Sequence, residues 1–84
     1  MAFDTSTIVV SAGGLVTVNF DNKDSVPHNF AVYTDSGAQT AIFQGQKITA
    51  TIITYTFTAP ATPGTYFFRC DVHPSKMTGS FIVQ

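Results

Sequence analysis

Cysteine occurs once in this sequence, at position 70, and glutamate not at all. A single cysteine cannot close an intramolecular disulfide, so the usual staple of small secreted domains is excluded. The thiol is left as a free group, a metal ligand or an inert buried side chain. Charge is sparse, with four Lys and Arg against five Asp and a net charge of -1. That balance supplies neither the basic footprint of a nucleic-acid-binding protein nor the repulsion of a disordered one. Apolar runs are only a few residues long, which excludes a membrane span, and the N-terminus lacks the charged and apolar regions of a signal peptide. The start fits a mature or trimmed domain. An 84-residue chain fits one domain, residues 1–84, whose thin core buries about 60–65% of the unfolded surface.

What is present repeats with a period of two. In "LVTVNF" Val16, Val18 and Phe20 alternate with Thr17 and Asn19, and in "TIITYTF" Ile53, Tyr55 and Phe57 alternate with Thr54 and Thr56. Such alternation marks half-buried strands, and the β-branched and aromatic residues that dominate these runs agree. Turn residues interrupt the runs at "SAGG", "DNKDSVP", "TDSGAQ", "QGQ" and "APATPG". They leave about seven strands, expected near residues 5–10, 15–21, 28–34, 40–43, 50–58, 64–70 and 78–84. The spacing predicts an all-β fold, a two-sheet antiparallel sandwich or a barrel. The stretch from Asp35 to Ala50 is the least regular, with an edge strand or a short helical turn as the alternatives.

The scarce soft side chains are concentrated in "FFRCDVHPSKM", residues 67–77, which holds the sole Cys, one of two His and one of two Met. Tyr66, Phe68 and Cys70 share a parity, as do Met77, Gly79, Phe81 and Val83, so the thiol ends one inward-facing row and the thioether begins the next. Phe67 and Arg69 point the other way. His28 shares a parity with Phe30 and Val32 and is expected to open its strand after the Pro27 turn. A lone Cys is ordinarily a small buried hydrophobe and a lone Met a gap filler. Here both His, the Cys and the Met converge on one end of one sandwich with the same facing. Two imidazoles, a thiolate and a thioether form a set that suits copper in electron-transfer sites. Zinc competes for such residues, but structural zinc sites favour several thiolates or carboxylates and rarely use Met.

These residues resemble the cupredoxins, the small blue copper proteins that include plastocyanin, pseudoazurin and amicyanin. The resemblance spans nearly the whole chain and is closest in "VPHNF" and "PGTYFFRCDVHPSKMTGSFIV". It implies a Greek-key β-sandwich and one type 1 copper ion, bound through His28 Nδ1, Cys70 Sγ and His73 Nδ1 with Met77 Sδ as the weaker axial ligand. It further implies that Asn29 ties the ligand loop to the His28 strand and donates its backbone N–H toward the cysteine sulfur, while Phe68 packs beneath the site. Two features depart from the family pattern. The spacer between His73 and Met77 is Pro74, Ser75 and Lys76, intermediate between amicyanin-like and plastocyanin-like loops, which bears on the position of the axial sulfur. Asp71 places a carboxylate beside the thiolate, where its charge favours the oxidised metal unless it is turned to solvent or hydrogen-bonded away.

The function expected from this resemblance is one-electron transfer, with copper cycling between Cu(II) and Cu(I) and electrons exchanged through His73. Copper delivery or storage, and a metal-free structural sandwich, are the alternatives. An enzyme is disfavoured because no histidine remains for a second copper centre and no acidic pocket is evident from five scattered Asp. The expected partner is a redox protein docking on an apolar rim at His73 and Pro74, adjusted by Lys76 and Asp71, with the chain a monomer. By family resemblance the location is periplasmic or otherwise extracytoplasmic.

Overall fold

Alternating side chains and turn residues build two sheets in the computed structural model, which describes residues 2–84. The strands are β1 (Thr7–Val10), β2 (Leu15–Asn22), β3 (Ala31–Tyr33), β4 (Ala41–Gln44), β5 (Thr51–Thr58), β6 (Gly64–Arg69) and β7 (Thr78–Val83). One sheet has five strands in the order β1-β7-β6-β3-β4, and the other is the pair β2-β5. The β2-β5 ladder is antiparallel and continuous from Leu15↔Thr58 to Asn22↔Thr51. Its inward positions are those of the sequence alternation, with Val16 and Tyr55 buried and Thr17, Thr54 and Thr56 exposed.

The fold is the expected β-sandwich with three refinements. The edge strand β1 runs parallel to β7, while the other ladders are antiparallel. Hairpin neighbours must be antiparallel, but β1 meets β7 from the opposite end of the chain and is free of that constraint. The irregular stretch after Asp35 resolves as the edge strand β4, whose ladder with β3 shifts register between Val32 and Tyr33. The third refinement concerns the strand expected over 28–34, of which only Ala31–Tyr33 joins the sheet. His28 instead makes an isolated bridge to Ile48. Between them the Asn29 N–H is drawn off to the Cys70 sulfur, so the ladder is interrupted where the chain passes the site.

Aromatic rings form the core beneath that end of the sandwich. Phe30, Phe68 and Phe81 are fully buried, and the Phe30 and Phe68 rings lie 5.3 Å apart. Phe3, from the segment before β1, meets Phe68 edge-on at 5.3 Å. Phe68 pairs with Gly79 across the β6-β7 ladder, and a Cβ at Gly79 would stand 2.2 Å from Phe68 Cζ. The glycine is therefore what admits the Phe68 ring into the core. No helix long and apolar enough to cross a membrane occurs among the described residues.

Candidate metal centre

Three elements converge on Cys70, which ends the inward-facing row of β6 and is fully buried. Its backbone N–H donates to the Met77 carbonyl at 2.9 Å, closing residues 71–76 into a loop between β6 and β7. Within the loop the His73 N–H donates to the Cys70 carbonyl, and the N–H groups of Lys76 and Met77 both donate to the His73 carbonyl at 3.2 and 3.1 Å. The spacer Pro74, Ser75 and Lys76 is thus wound as a tight turn that carries Met77 back to the start of β7. Met77 is buried and shares with His28 an open cleft lined also by Phe3, Phe20 and Asp24.

His28 reaches the same point from the other side. Its backbone is locked to Ile48 by reciprocal hydrogen bonds, N–H to O of 3.0 and 2.9 Å, and the residue is only 3% exposed. His73 is half-buried and Pro74 exposed, so the loop imidazole is the one nearer to solvent. The His28 and His73 rings approach at 4.8 Å between centroids, tilted by 45°.

The donor atoms face one another. Cys70 Sγ lies 3.8 Å from His28 Nδ1 and 3.9 Å from His73 Nδ1, and the three atoms fall within 4.8 Å of each other. Metal–thiolate and metal–imidazole bonds of roughly 2.3 and 2.05 Å at an angle of about 120° separate sulfur from nitrogen by about 3.8 Å. Each sulfur-to-nitrogen spacing thus fits a thiolate and an imidazole sharing one ion. The soft thiolate and the borderline imidazoles match Cu(I), Cu(II) or Zn(II), and a thioether donor such as that of Met77, buried in the cleft that His28 lines, favours copper.

A second layer of side chains holds this set. The Asn29 N–H donates to Cys70 Sγ at 3.5 Å, and its side chain donates to the Gly45 carbonyl and to Asp71 Oδ2. Phe68 is fully buried against Phe3 and Phe30 in the aromatic core. Asp71 turns away from solvent and accepts from Tyr33 Oη, Asn29 Nδ2 and Arg69 Nε. The Arg69 guanidinium also sits 4.8 Å over the Tyr33 ring. Burial alone would raise the Asp71 pKa, but hydrogen bonds from Tyr33, Asn29 and Arg69 and the Arg69 charge outweigh it and hold the carboxyl below its ordinary value. Of the two fates open to this carboxylate, solvent or hydrogen bonding, the structure has the second.

Sequence periodicity did not find Tyr33, Arg69 or Asp24 as parts of the site. Parity turned Arg69 away from the core, and that face proves to be covered: Tyr33 is buried with Arg69 laid across it. Asp24 reads as an ordinary turn residue in "DNKDSVP", yet its carboxylate meets His28 Nε2 at 2.9 Å.

Comparison with known proteins accords with this geometry. A family model described as a cupredoxin-like domain matches residues 1–83. Among solved structures, auracyanin B superposes with a TM-score of 0.84 at 20% identity, over 99% of this chain and 80% of its own, a likeness of fold. A reduced Cu(I) form at pH 4 of a glycine-for-proline variant of amicyanin matches with a TM-score of 0.69 and 26% identity, covering 100% of this chain and 74% of that one. An oxidised lysine-for-methionine variant of amicyanin gives 0.69 and 27% over the same shares. No curated protein sequence matches the chain.

Proposed function

This chain belongs to the cupredoxin-like family, and we propose that it is a type 1 copper protein that carries single electrons between partners and has no catalytic activity of its own. The observation that carries the reading is the convergence of His28 Nδ1, Cys70 Sγ and His73 Nδ1 within 4.8 Å, with an N–H already directed at the sulfur. Copper would be held by these three atoms with Met77 Sδ as the weak fourth donor. When bound, it supplies a reversible Cu(II)/Cu(I) couple, favoured by a ligand set that suits both oxidation states.

The chain's own contribution is rigidity and insulation. His28 is fixed by its bridge to Ile48, Cys70 by the Met77 carbonyl and the Asn29 N–H, and His73 by the turn that follows it. Side chains held in this way have little to rearrange when charge changes at the centre. The Phe3, Phe30 and Phe68 rings exclude water from below. His73 is the route of electron exchange because it is the imidazole nearer to solvent, and Pro74 beside it is exposed for docking. Val72, the residue before His73, adds exposed apolar surface. With a net charge of -1, association with a redox partner rests on this apolar rim more than on long-range steering. Residues 1–84 act as one domain, monomeric, in an extracytoplasmic compartment.

Titration with Cu(II), followed by visible absorption and EPR, tests the reading. The expected result is an intense thiolate-to-copper band and a narrow copper hyperfine splitting, both abolished in Cys70→Ala. A colourless protein whose melting point copper leaves unchanged would instead support a metal-free sandwich. Tight but redox-inactive or rapidly exchanging copper would support delivery or storage.

A further inference from the structure

We propose that Asp24 is a positioning residue for the metal centre, fixing the tautomer and orientation of His28 through its far ring nitrogen. His28 Nε2 lies 2.9 Å from Asp24 Oδ2, while Nδ1 on the opposite side of the ring faces Cys70 Sγ at 3.8 Å. A carboxylate only accepts, so the proton of the neutral imidazole resides on Nε2 and the Nδ1 lone pair is left for the ligand pocket.

The carboxylate is itself held in place. The Asp24 N–H donates to Asn22 Oδ1 at 2.9 Å, and the Asp24 carbonyl accepts from Ala50 N–H at 2.9 Å. Asn22, at the end of β2 and 4% exposed, donates through Nδ2 to the carbonyls of Ile48 and Val26 at 2.7 and 3.0 Å. Ile48 is the residue that bridges His28 through the backbone. The backbone of His28 and the far side of its ring are therefore located by the same knot of residues 22–28 and 48–50. The Asp24 side chain is 57% exposed against 4% for His28, so water competes for the carboxylate, and the knot around Asn22 keeps it on the ring. Asp24 lines the same cleft as His28 and Met77.

This inference rests on the copper reading only for what Nδ1 delivers; the tautomer is a property of the metal-free chain. Nitrogen-15 NMR of the histidine rings in the reduced, metal-free protein at constant neutral pH therefore tests it directly. The expected result is His28 as the Nε2–H tautomer in the wild type, a shift toward a mixed population in Asp24→Ala, and retention in Asp24→Asn, whose side-chain oxygen still accepts. Copper affinity is expected to fall about tenfold or more in Asp24→Ala, with partial recovery in Asp24→Asn. An Nδ1–H tautomer in the wild type, or ring shifts unchanged in Asp24→Ala, would overturn the proposal. Wild-type protein without a copper–thiolate band would overturn the copper reading instead, and the tautomer measurement would still decide the role of Asp24.

Discussion

Asn29 and Asp71 grip each other from both ends: Asn29 Nδ2 donates to Asp71 Oδ2 at 2.9 Å, and the Asp71 backbone N–H donates to Asn29 Oδ1 at 2.8 Å. The pair joins the chain entering β3 to the ligand loop at the residue after the cysteine. With the Asn29 N–H on the sulfur, one residue thus contacts the cysteine and locks its neighbour.

Removing the Asp71 carboxylate leaves Tyr33 Oη, Asn29 Nδ2 and Arg69 Nε without a shared acceptor. Asp71→Ala is expected to destabilise the metal-free protein by about 2 kcal/mol, within the range for leaving partly buried donors unpaired. Chemical denaturation at neutral pH measures it, and a change within error of zero would mean that water replaces the carboxylate at no cost.

Acid stability should carry the signature of the same carboxyl. Its folded-state pKa lies below the ordinary value of 3.8, so its stabilising contribution is complete above that value and is lost as pH falls through the lowered one. Asp71→Asn is therefore expected to lower stability at neutral pH and to flatten the decline of stability below about pH 4. Parallel wild-type and variant curves across that range would show that Asp71 is not the group responsible.

Gly79→Ala is expected to cost about 2 kcal/mol or more by overpacking, because the new methyl would meet Phe68 Cζ at 2.2 Å and the Ser6 carbonyl at 2.7 Å. Since the ring is one of the two obstacles, combining it with Phe68→Leu should be less damaging than the sum of the single changes. Thermal unfolding of the four proteins measures the coupling, and strict additivity would place the strain elsewhere.

Copper should act as a stabilising ligand of the folded state. At a free concentration one hundred times the dissociation constant it adds about 2.7 kcal/mol, read as a raised melting point that chelation reverses. Cys70→Ala should lose most of this shift, and Met77→Ala should keep much of it while altering the spectrum. Equal shifts in the wild type and Cys70→Ala would mean that the stabilising copper binds at another site.

Much of this architecture is legible in the linear chain, and the exceptions share a cause. Alternation located β2 and β5, and turn residues separated the strands, because both signals act between near neighbours. The strand expected to begin at His28 begins instead at Ala31, because the Asn29 N–H is claimed by a sulfur from a distant part of the chain. The parallel β1-β7 edge is likewise a meeting of opposite ends of the chain. Arg69, outward by parity, and Tyr33 are joined over Asp71 by a contact that periodicity cannot anticipate.

The β class, the order of the strands along the chain and the loop that carries Cys70, His73 and Met77 in succession are encoded locally, because bond connectivity and side-chain period govern all three. Long-range packing sets the rest: His28 meets the Cys70 sulfur with Nδ1 foremost, Asp24 stands behind its Nε2, and Asp71 is bound by Asn29, Tyr33 and Arg69 instead of facing solvent. Those relationships depend on how the two sheets and the segments between them pack, and each joins residues whose positions relative to one another no local pattern encodes.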